Sequence, residues 1–234
     1  MSEKLIQDWQ EYYGESPYSD TENGIETSIE DTVSDVILVL LSSGIVERMK
    51  NESLVFIMSS VSRGEKAVGV AEKIDEILDA EENPPSQTII ATDFALKTVG
   101  DTKNAVVENS KIELKHVSYF AIACDSRNMP VADGSADIIH ERMGALFHIS
   151  EVGGNQIERI IREYKRILKK DGKIIIDFGH KNPRIPSSTV KEIEKATEVE
   201  YQEYFRSLGF DCDVVSGRVE SYVILTLQEE WSLR

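Results

Sequence analysis

One stretch of the sequence, Cys124-Asp125-Ser126-Arg127-Asn128-Met129-Pro130-Val131-Ala132-Asp133-Gly134-Ser135-Ala136-Asp137-Ile138-Ile139, indicates the architecture more clearly than any other. It follows a β-rich apolar run, Val117 to Ala123. Within it, Asp133-Gly134 is typical of a turn, and Asp137-Ile138-Ile139 begins a second buried strand. The predicted order is therefore strand, acidic turn, loop and strand.

Strands and helices alternate on both sides of this stretch. The predicted strands share short apolar runs and lie at 54–58, 88–92, 117–123, 137–139, 173–177, 212–215 and 221–227. The predicted helices show apolar residues at helical spacing and lie at 3–13, 28–41, 65–78, 157–168 and 190–208, with Asp171-Gly172 ending the fourth. Such alternation favours an α/β fold with a parallel sheet that is covered by helices on both faces.

Length and composition agree with a single domain over residues 1–234. With 41% hydrophobic residues the chain can bury one large core, and it has no internal repeat. No apolar run is long enough to span a membrane, and the charged amino terminus lacks a signal-peptide pattern, so we expect a cytoplasmic protein without a membrane anchor. Cys124 and Cys212 are too few for a disulfide framework, and we expect buried reduced thiols.

The charge balance argues against a nucleic-acid partner. Forty-two acidic residues against 26 basic ones give a formal net charge of −16, which repels a phosphate backbone unless the bases cluster. The densest basic group lies between Arg159 and Lys170 on a predicted helix. We interpret it as a solvated face paired with Glu158 and Glu163 rather than as a nucleic-acid contact.

The stretch from Asp125 to Asp137 resembles the class I S-adenosylmethionine-dependent methyltransferases, of the type 11 kind. In that family a strand-ending acid is followed by a Leu-Pro-like pair and an Asp-Gly-Ser-Phe-Asp-like turn. Here Met129-Pro130 and Asp133-Gly134-Ser135-Ala136-Asp137 stand at those places, with Ala136 instead of Phe. Residues 163–173 are similar to the family's helix and turn before strand five. The resemblance implies a Rossmann-like, seven-stranded, mostly parallel sheet with a C-terminal antiparallel hairpin.

The resemblance implies S-adenosylmethionine as the cofactor and gives roles to three residues. Asp93 ends a predicted strand, where an acid can accept both ribose hydroxyl hydrogens. Asp125 is implied to contact the adenine amino group, and Ser126 to offer a neighbouring backbone amide to a ring nitrogen. The alternative for Asp93 is a helix N-cap or turn, and for Asp125 it is an Asx turn. We interpret Asp133 and Asp137 as turn-shaping residues.

The first loop departs from the family's Gly-x-Gly-x-Gly run. When Gly64 is aligned with the last glycine, Ser60 and Ser62 take the first two places, and Met58 takes the place of the strand-end acid. Serine keeps the loop narrow, but its Cβ restricts positive φ angles and crowds a close ligand. We therefore expect Ser60, Ser62 and Gly64 to contact the cofactor in a degenerate version of this motif.

Candidate acid–base residues follow the fourth predicted strand. The resemblance makes residues 140–148 a wall of the site, so His140, Glu141 and His148 are the catalytic candidates. The alternative for each is a residue whose polar atoms are satisfied by its neighbours. We predict no metal site, because His116 and His180 lie in separate segments without partners at metal spacing.

The amino-terminal segment, residues 1–27, contains aromatic residues that form either a lid over the substrate or a helix packed at the sheet edge: Trp9, Tyr12, Tyr13 and Tyr18. A lid of this kind suggests a small or partly apolar acceptor.

The leading hypothesis is an S-adenosylmethionine-dependent methyltransferase with a small-molecule acceptor. The alternative is a catalytically inactive protein of the same fold that acts as a binding or regulatory partner. Both leave open a homodimer or an activating partner.

Overall fold

A computed structural model describes eight stretches of the chain, which are residues 29–59, 61, 65–93, 114–142, 146, 156–177, 198–216 and 221–228. The described helices are α1 (Ile29–Ser42), α2 (Ile45–Asn51), α3 (Glu65–Asp79), α4 (Gln156–Ile167) and α5 (Glu198–Ser207). The strands are β1 (Val55–Ser59), β2 (Gln87–Asp93), β3 (Val117–Ala123), β4 (Ala136–Arg142), β5 (Leu168–Asp177), β6 (Phe210–Ser216) and β7 (Ser221–Leu227). The amino-terminal segment 1–27 and its aromatic residues lie outside these stretches.

The described strands form one sheet in the order β3-β2-β1-β4-β5-β7-β6. The first five strands are parallel to one another, whereas β7 is antiparallel to both β5 and β6. The α/β, Rossmann-like fold with a mostly parallel sheet and a C-terminal antiparallel hairpin is therefore confirmed. The chain runs outward from β1 to β3 on one side and from β4 onward on the other. The order of strands thus reverses between β1 and β4.

Two apolar layers cover the two faces of the sheet. On one face, Phe56 and Met58 of β1 pack in a cluster with buried residues of α1, α2 and α3. On the other face, Ile57 packs with Ile160, Tyr164 and other residues of α4, and with Phe205 of α5. Because successive strand residues point to opposite faces, β1 contributes alternately to both layers. A strand buried on both faces is continuously apolar, as its sequence predicted.

Helices α1 and α3 pack closely where α3 has a glycine. A Cβ on Gly69 would lie 2.8 Å from Cγ2 of Val33 on α1. Such a separation is shorter than real side-chain contacts, so the absence of a side chain at Gly69 permits this approach.

The turn between β3 and β4 has the geometry that its sequence predicted. Gly134 has a φ of 57°, which favours glycine. The Asp137 carboxylate is 1% exposed and accepts a hydrogen bond from the backbone N–H of Val55 at 2.8 Å. It also accepts hydrogen bonds from Lys169 at 2.7 Å and from Arg48 at 3.3 Å. Asp137 thereby joins the start of β4 to the start of β1 and to the helix before it.

Two predictions of local structure were wrong. Helix α2 was not predicted, although Ile45, Val46 and Met49 form a buried stripe directly after Gly44, which has a φ of 74°. Helix α4 ends at Ile167, one residue before the predicted end at Leu168, but Asp171-Gly172 lies within β5 rather than in a turn that ends the helix. The reason is that Gly134 and Ser135 donate backbone hydrogen bonds to the last helical carbonyls, at distances of 2.8 and 2.9 Å. Strand β5 therefore begins at once, with Leu168 beside Ala136.

Candidate functional site

The candidate site lies at the carboxyl ends of the parallel strands. Ser59 ends β1, Asp93 ends β2, and the segment that begins with Cys124 follows β3. In open α/β sheets ligands bind beyond these ends, near the point where the strand order reverses. Here that point lies between β1 and β4, where Ser59 pairs with Glu141. The polar residues around this pair therefore define the site.

Asp93 and Asp125 lie at neighbouring strand ends. Asp93 is the register partner of Ala123, and its carbonyl accepts a hydrogen bond from the N–H of Cys124 at 2.9 Å. Burial raises the thiol pKa of Cys124 to about 11; a hydrogen bond with Thr92 opposes the shift, and the charges of Asp125 and Asp93 add to it. The structure thus brings the predicted ribose acid and the predicted adenine acid to one edge. Cys124 stays a protonated, reduced thiol at neutral pH.

Arg127 holds the Asp125 carboxylate in place. Its Nε donates to Oδ1 at 2.8 Å and its Nη2 donates to Oδ2 at 2.6 Å, while its backbone N–H donates to Oδ1 at 2.9 Å. Burial alone would raise the pKa of Asp125, but the Arg127 hydrogen bonds outweigh it and hold the pKa below its ordinary value. Asp125 is therefore ionised, and its turn geometry is that of an Asx turn. Its contact with adenine stays a prediction.

A second pair of charged residues fixes the loop after Asn128. Glu163 on α4 accepts the backbone N–H of Met129 at 2.6 Å and binds Arg166 at 2.6 and 2.9 Å. Arg166 also donates to the carbonyls of Val131 and Met129, at 2.9 and 3.1 Å, and pairs with Asp133. The expected pairing of the basic residues of α4 with Glu163 is confirmed for Arg166. The loop is thus anchored along its length to α4.

Four buried or half-buried polar side chains form a hydrogen-bonded group, the Tyr164 network, which consists of Ser59, Ser126, Glu141 and Tyr164. The Tyr164 hydroxyl lies 3.1 Å from Oγ of Ser59 and is hydrogen-bonded to Oε2 of Glu141. Ser59 lies 3.2 Å from Oγ of Ser126. The backbone N–H of Leu146 donates to Oε1 of Glu141 at 2.5 Å. This network joins the ends of β1 and β4, the loop after β3, and α4.

Glu141 is a strongly perturbed carboxyl of the site. It is 1% exposed. Burial raises its pKa to about 7, although the hydrogen bonds from Tyr164 and Leu146 favour the carboxylate and oppose the shift. The pKa of Tyr164 lies well above its ordinary value, first through burial and then through Glu141, so its hydroxyl keeps its proton. Glu141 therefore changes charge near neutral pH while Tyr164 does not.

The acid–base candidates lie inside β4 rather than after it. His140 and Glu141 are strand residues that are 3% and 1% exposed, and they point to opposite faces of the sheet. The His140 ring packs edge-on against Phe56 in the first apolar layer, at 6.4 Å between ring centroids. The structure therefore does not bring the two side chains together. His148 and the first-loop residues Ser60, Ser62 and Gly64 lie outside the described stretches.

Sequence reasoning missed Ser59 and Tyr164. A signal for Tyr164 existed, because it lies on the apolar stripe of α4 with Ile160 and Ile167, and a buried tyrosine hydroxyl requires a partner. The signal for Ser59 was its place as the first polar residue after the apolar run of β1. The described residues contain no group of three or more His, Cys, Asp or Glu side chains that is suited to a metal. No described helix is long and apolar enough to cross a lipid bilayer.

Comparison with known families matches part of the chain. Residues 77–176, which run from the end of α3 into β5, match the family described as a methyltransferase domain. This segment includes Asp93, Asp125, Ser126, Glu141 and Tyr164. The resemblance that was expected from the sequence is therefore confirmed. No curated protein matches the sequence.

Solved structures with the same fold include three methyltransferases. An S-adenosylmethionine-dependent methyltransferase from Clostridium acetobutylicum is 9% identical with a TM-score of 0.58, covering 96% of this chain and 99% of that one. One from Aquifex aeolicus is 15% identical with a TM-score of 0.52, covering 86% and 98%. Geranyl diphosphate C-methyltransferase from Streptomyces coelicolor, solved with Mg²⁺, geranyl diphosphate and S-adenosyl-L-homocysteine, is 12% identical with a TM-score of 0.52, covering 94% and 96%. At these identities the likeness concerns the fold.

Proposed function

Because this chain has the class I methyltransferase fold and its residues 77–176 match the methyltransferase domain family, we propose that it is an S-adenosylmethionine-dependent methyltransferase. The observation that carries the proposal is the position of Asp93. It ends β2, which pairs with β3 and with β1, the strand at the switch point, so Asp93 lies one strand away from Ser59 and beside the segment that contains Asp125 and Ser126. A fold match alone would not require polar residues at these strand ends.

The residues at this edge fit the proposed cofactor. The Asp93 carboxylate can accept the two ribose hydroxyl hydrogens, and the ionised Asp125 can accept the adenine amino hydrogens. Ser126 is half-buried and supplies a hydroxyl and a backbone amide next to Asp125. Ser60, Ser62 and Gly64 are proposed to approach the methionine part as a degenerate form of the family's glycine loop. When bound, S-adenosylmethionine supplies an already activated sulfonium methyl group.

The role of the protein is then mainly to orient the two reactants. Holding an acceptor atom in line with a methyl group lowers the barrier through proximity, and it requires no strong base. His140 and Glu141 are buried and held by protein contacts, which supports this view. We keep His140, Glu141 and His148 as acid–base candidates whose role depends on the acceptor.

The acceptor is proposed to be a small molecule. The net charge of −16 disfavours nucleic acid, and the aromatic residues of segment 1–27 would suit a small, partly apolar compound. We propose a cytoplasmic location from the sequence, and a homodimer or an activating partner stays open. The alternative is an inactive protein that has kept the fold for binding or regulation, which Met58, Ser60 and Ser62 permit.

Isothermal titration of the full chain with S-adenosylmethionine and S-adenosylhomocysteine tests the proposal. We expect micromolar binding that is lost in Asp93→Ala. A matched control is Asp79→Ala, which removes the same charge. Asp79 pairs with Lys115 at 2.9 Å near the amino ends of the strands, away from the candidate site. No heat and no thermal shift at millimolar ligand would refute the proposed methyltransferase activity and leave the inactive alternative. Equal binding by Asp93→Ala would refute the ribose role.

A further inference from the structure

The Tyr164 hydroxyl has only one proton but makes close hydrogen bonds with two groups. It is hydrogen-bonded to Oε2 of Glu141 and lies 3.1 Å from Oγ of Ser59, while Ser126 is a further polar neighbour that interacts with it. A phenol can donate to either Glu141 or Ser59 at a time and must accept from, or lose, the other. The direction of the hydrogen bonds along the network therefore depends on whether Glu141 or Ser59 needs a donor.

When Glu141 is ionised, the directions are fixed from the carboxylate outward. A carboxylate only accepts, so Tyr164 donates its proton to Glu141 and accepts from Ser59. The proton of Ser59 is then in use, so the contact of 3.2 Å between Ser59 and Ser126 requires Ser126 to donate. In this state Ser126 presents only lone pairs to a ligand.

When Glu141 is protonated, the directions between the side chains reverse. The backbone N–H of Leu146 occupies Oε1, so the acid proton lies on Oε2 and points to Tyr164. Tyr164 then donates to Ser59, and Ser59 donates to Ser126. The proton of Ser126 is released to form a hydrogen bond with a ligand.

We propose that the Tyr164 network positions the cofactor, with the proton on Glu141 deciding whether Ser126 donates or accepts a hydrogen bond at the adenine ring. Tyr164 and Ser59 are thereby positioning residues, and Ser126 is the group that touches the ligand. This inference rests on the proposed function, since it requires adenine beside Asp125 and Ser126. It assigns to the Ser126 hydroxyl a contact with a ring nitrogen.

The surroundings of Glu141 allow it to change charge in the relevant range. Burial raises its pKa to about 7, and among the residues that the structure describes no charged side chain contributes to this shift. Among the described elements, α4 faces it with Tyr164, β1 with the uncharged Ser59, and β5 with its register partner Ile176. His140 precedes it on β4 and lies on the opposite face, against Phe56. The titration of Glu141 is therefore governed by burial and by the network itself.

The ligand should bind more tightly when Glu141 is protonated. Ring nitrogens of adenine are acceptors, so they gain a hydrogen bond only from the donating form of Ser126. One neutral hydrogen bond changes affinity by about five-fold. We therefore expect the affinity for S-adenosylhomocysteine to fall by up to about five-fold as pH rises through 7, and binding at pH 7 to take up a fraction of a proton.

Isothermal titration of the full chain with S-adenosylhomocysteine, at several pH values and in buffers of different ionisation heat, measures both quantities. Glu141→Gln should bind tightly at all pH values, because its amide donates to Tyr164 as the protonated acid does. Tyr164→Phe and Ser126→Ala should bind with a Kd that no longer varies with the protonation of Glu141. Tyr119→Phe is the matched control, because the buried Tyr119 hydroxyl has no hydrogen-bond partner among the described residues.

The outcomes separate the two proposals. If the unmodified chain binds no S-adenosylhomocysteine at any pH, the proposed function fails and this inference fails with it. If it binds, and Tyr164→Phe and Ser126→Ala keep its pH dependence, the network is refuted while the cofactor assignment stands. An affinity that rises with pH would also refute the proposed role of the Tyr164 network. Ser126→Ala changes a half-buried loop residue, so the test holds even if Tyr164→Phe fails to fold.

Discussion

Replacing Asp137 with alanine should lower the free energy of unfolding by about 3 kcal/mol. The largest loss is that of the Asp137 carboxylate as an acceptor. The Val55 N–H at the start of β1, which donates to it at 2.8 Å, is then left without a partner. Lys169 and Arg48 also lose an acceptor, but their side chains are 35% and 26% exposed and can recover water. The expected value therefore lies at the lower end of the range for breaking a buried charged contact.

Urea unfolding followed by circular dichroism measures this change, provided that the slope of the unfolding free energy against urea concentration is the same in both proteins. Asp137→Asn retains an oxygen for the Val55 N–H and should cost less than Asp137→Ala. Asp133→Ala is the control from the same turn, because the Asp133 side chain is 81% exposed and its partner Arg166 keeps Glu163. We expect a change below about 1 kcal/mol there. Equal losses at both positions, or a loss below about 1 kcal/mol in Asp137→Ala, would refute the reasoning.

Two further predictions concern Glu141 and Gly69. Because the pKa of Glu141 rises from 4.5 to about 7 on folding, the folded state binds its proton more tightly, and stability falls as pH rises from about 4.5 to about 7. Glu141→Gln should remove about 3 kcal/mol of this loss. Denaturation at pH 5 and at pH 8 should therefore show that the difference in unfolding free energy between the two proteins grows with pH. A difference that is the same at both pH values would contradict the assignment. Gly69→Ala should destabilise the chain by about 1 kcal/mol, because the new Cβ would lie 2.8 Å from Val33. Adding Val33→Ala should recover part of that loss in a thermal unfolding experiment, and simple additivity of the two changes would contradict a clash.

The architecture followed from sequence patterns where the chain is locally consistent. Apolar runs such as 54–58 and 117–123, separated by an amphipathic helix at 65–78, predicted the parallel strands and their helices to within a few residues. The errors arose where distant residues decide the outcome. The end of α4 is set by hydrogen bonds from Gly134 and Ser135, which lie more than 30 positions earlier. No local pattern in residues 163–173 contains that information.

The candidate site was predicted less fully than the fold. Strand-end acids such as Asp93 and Asp125 are visible in sequence, because topology gathers strand ends at one edge. The partner of Asp125 was not visible, since Arg127 reads as an ordinary loop residue. Tyr164 and Ser59 are 105 positions apart, and their contact exists only after α4 has packed on the sheet. A residue's chemical environment at this edge therefore depends on tertiary packing that periodicity does not encode.

The placement of β7 between β5 and β6 bears on how the chain matures during synthesis. The ribosome releases β6 before β7, yet β7 is the only neighbour of β6 among the strands that the structure describes. Until residues 221–227 emerge, β5 has an open edge that can pair with another chain. A nascent chain that stalls before residue 221 would therefore carry a nearly complete parallel sheet and remain a client for chaperones. The order of strands thus makes release from this state depend on one late segment of seven residues.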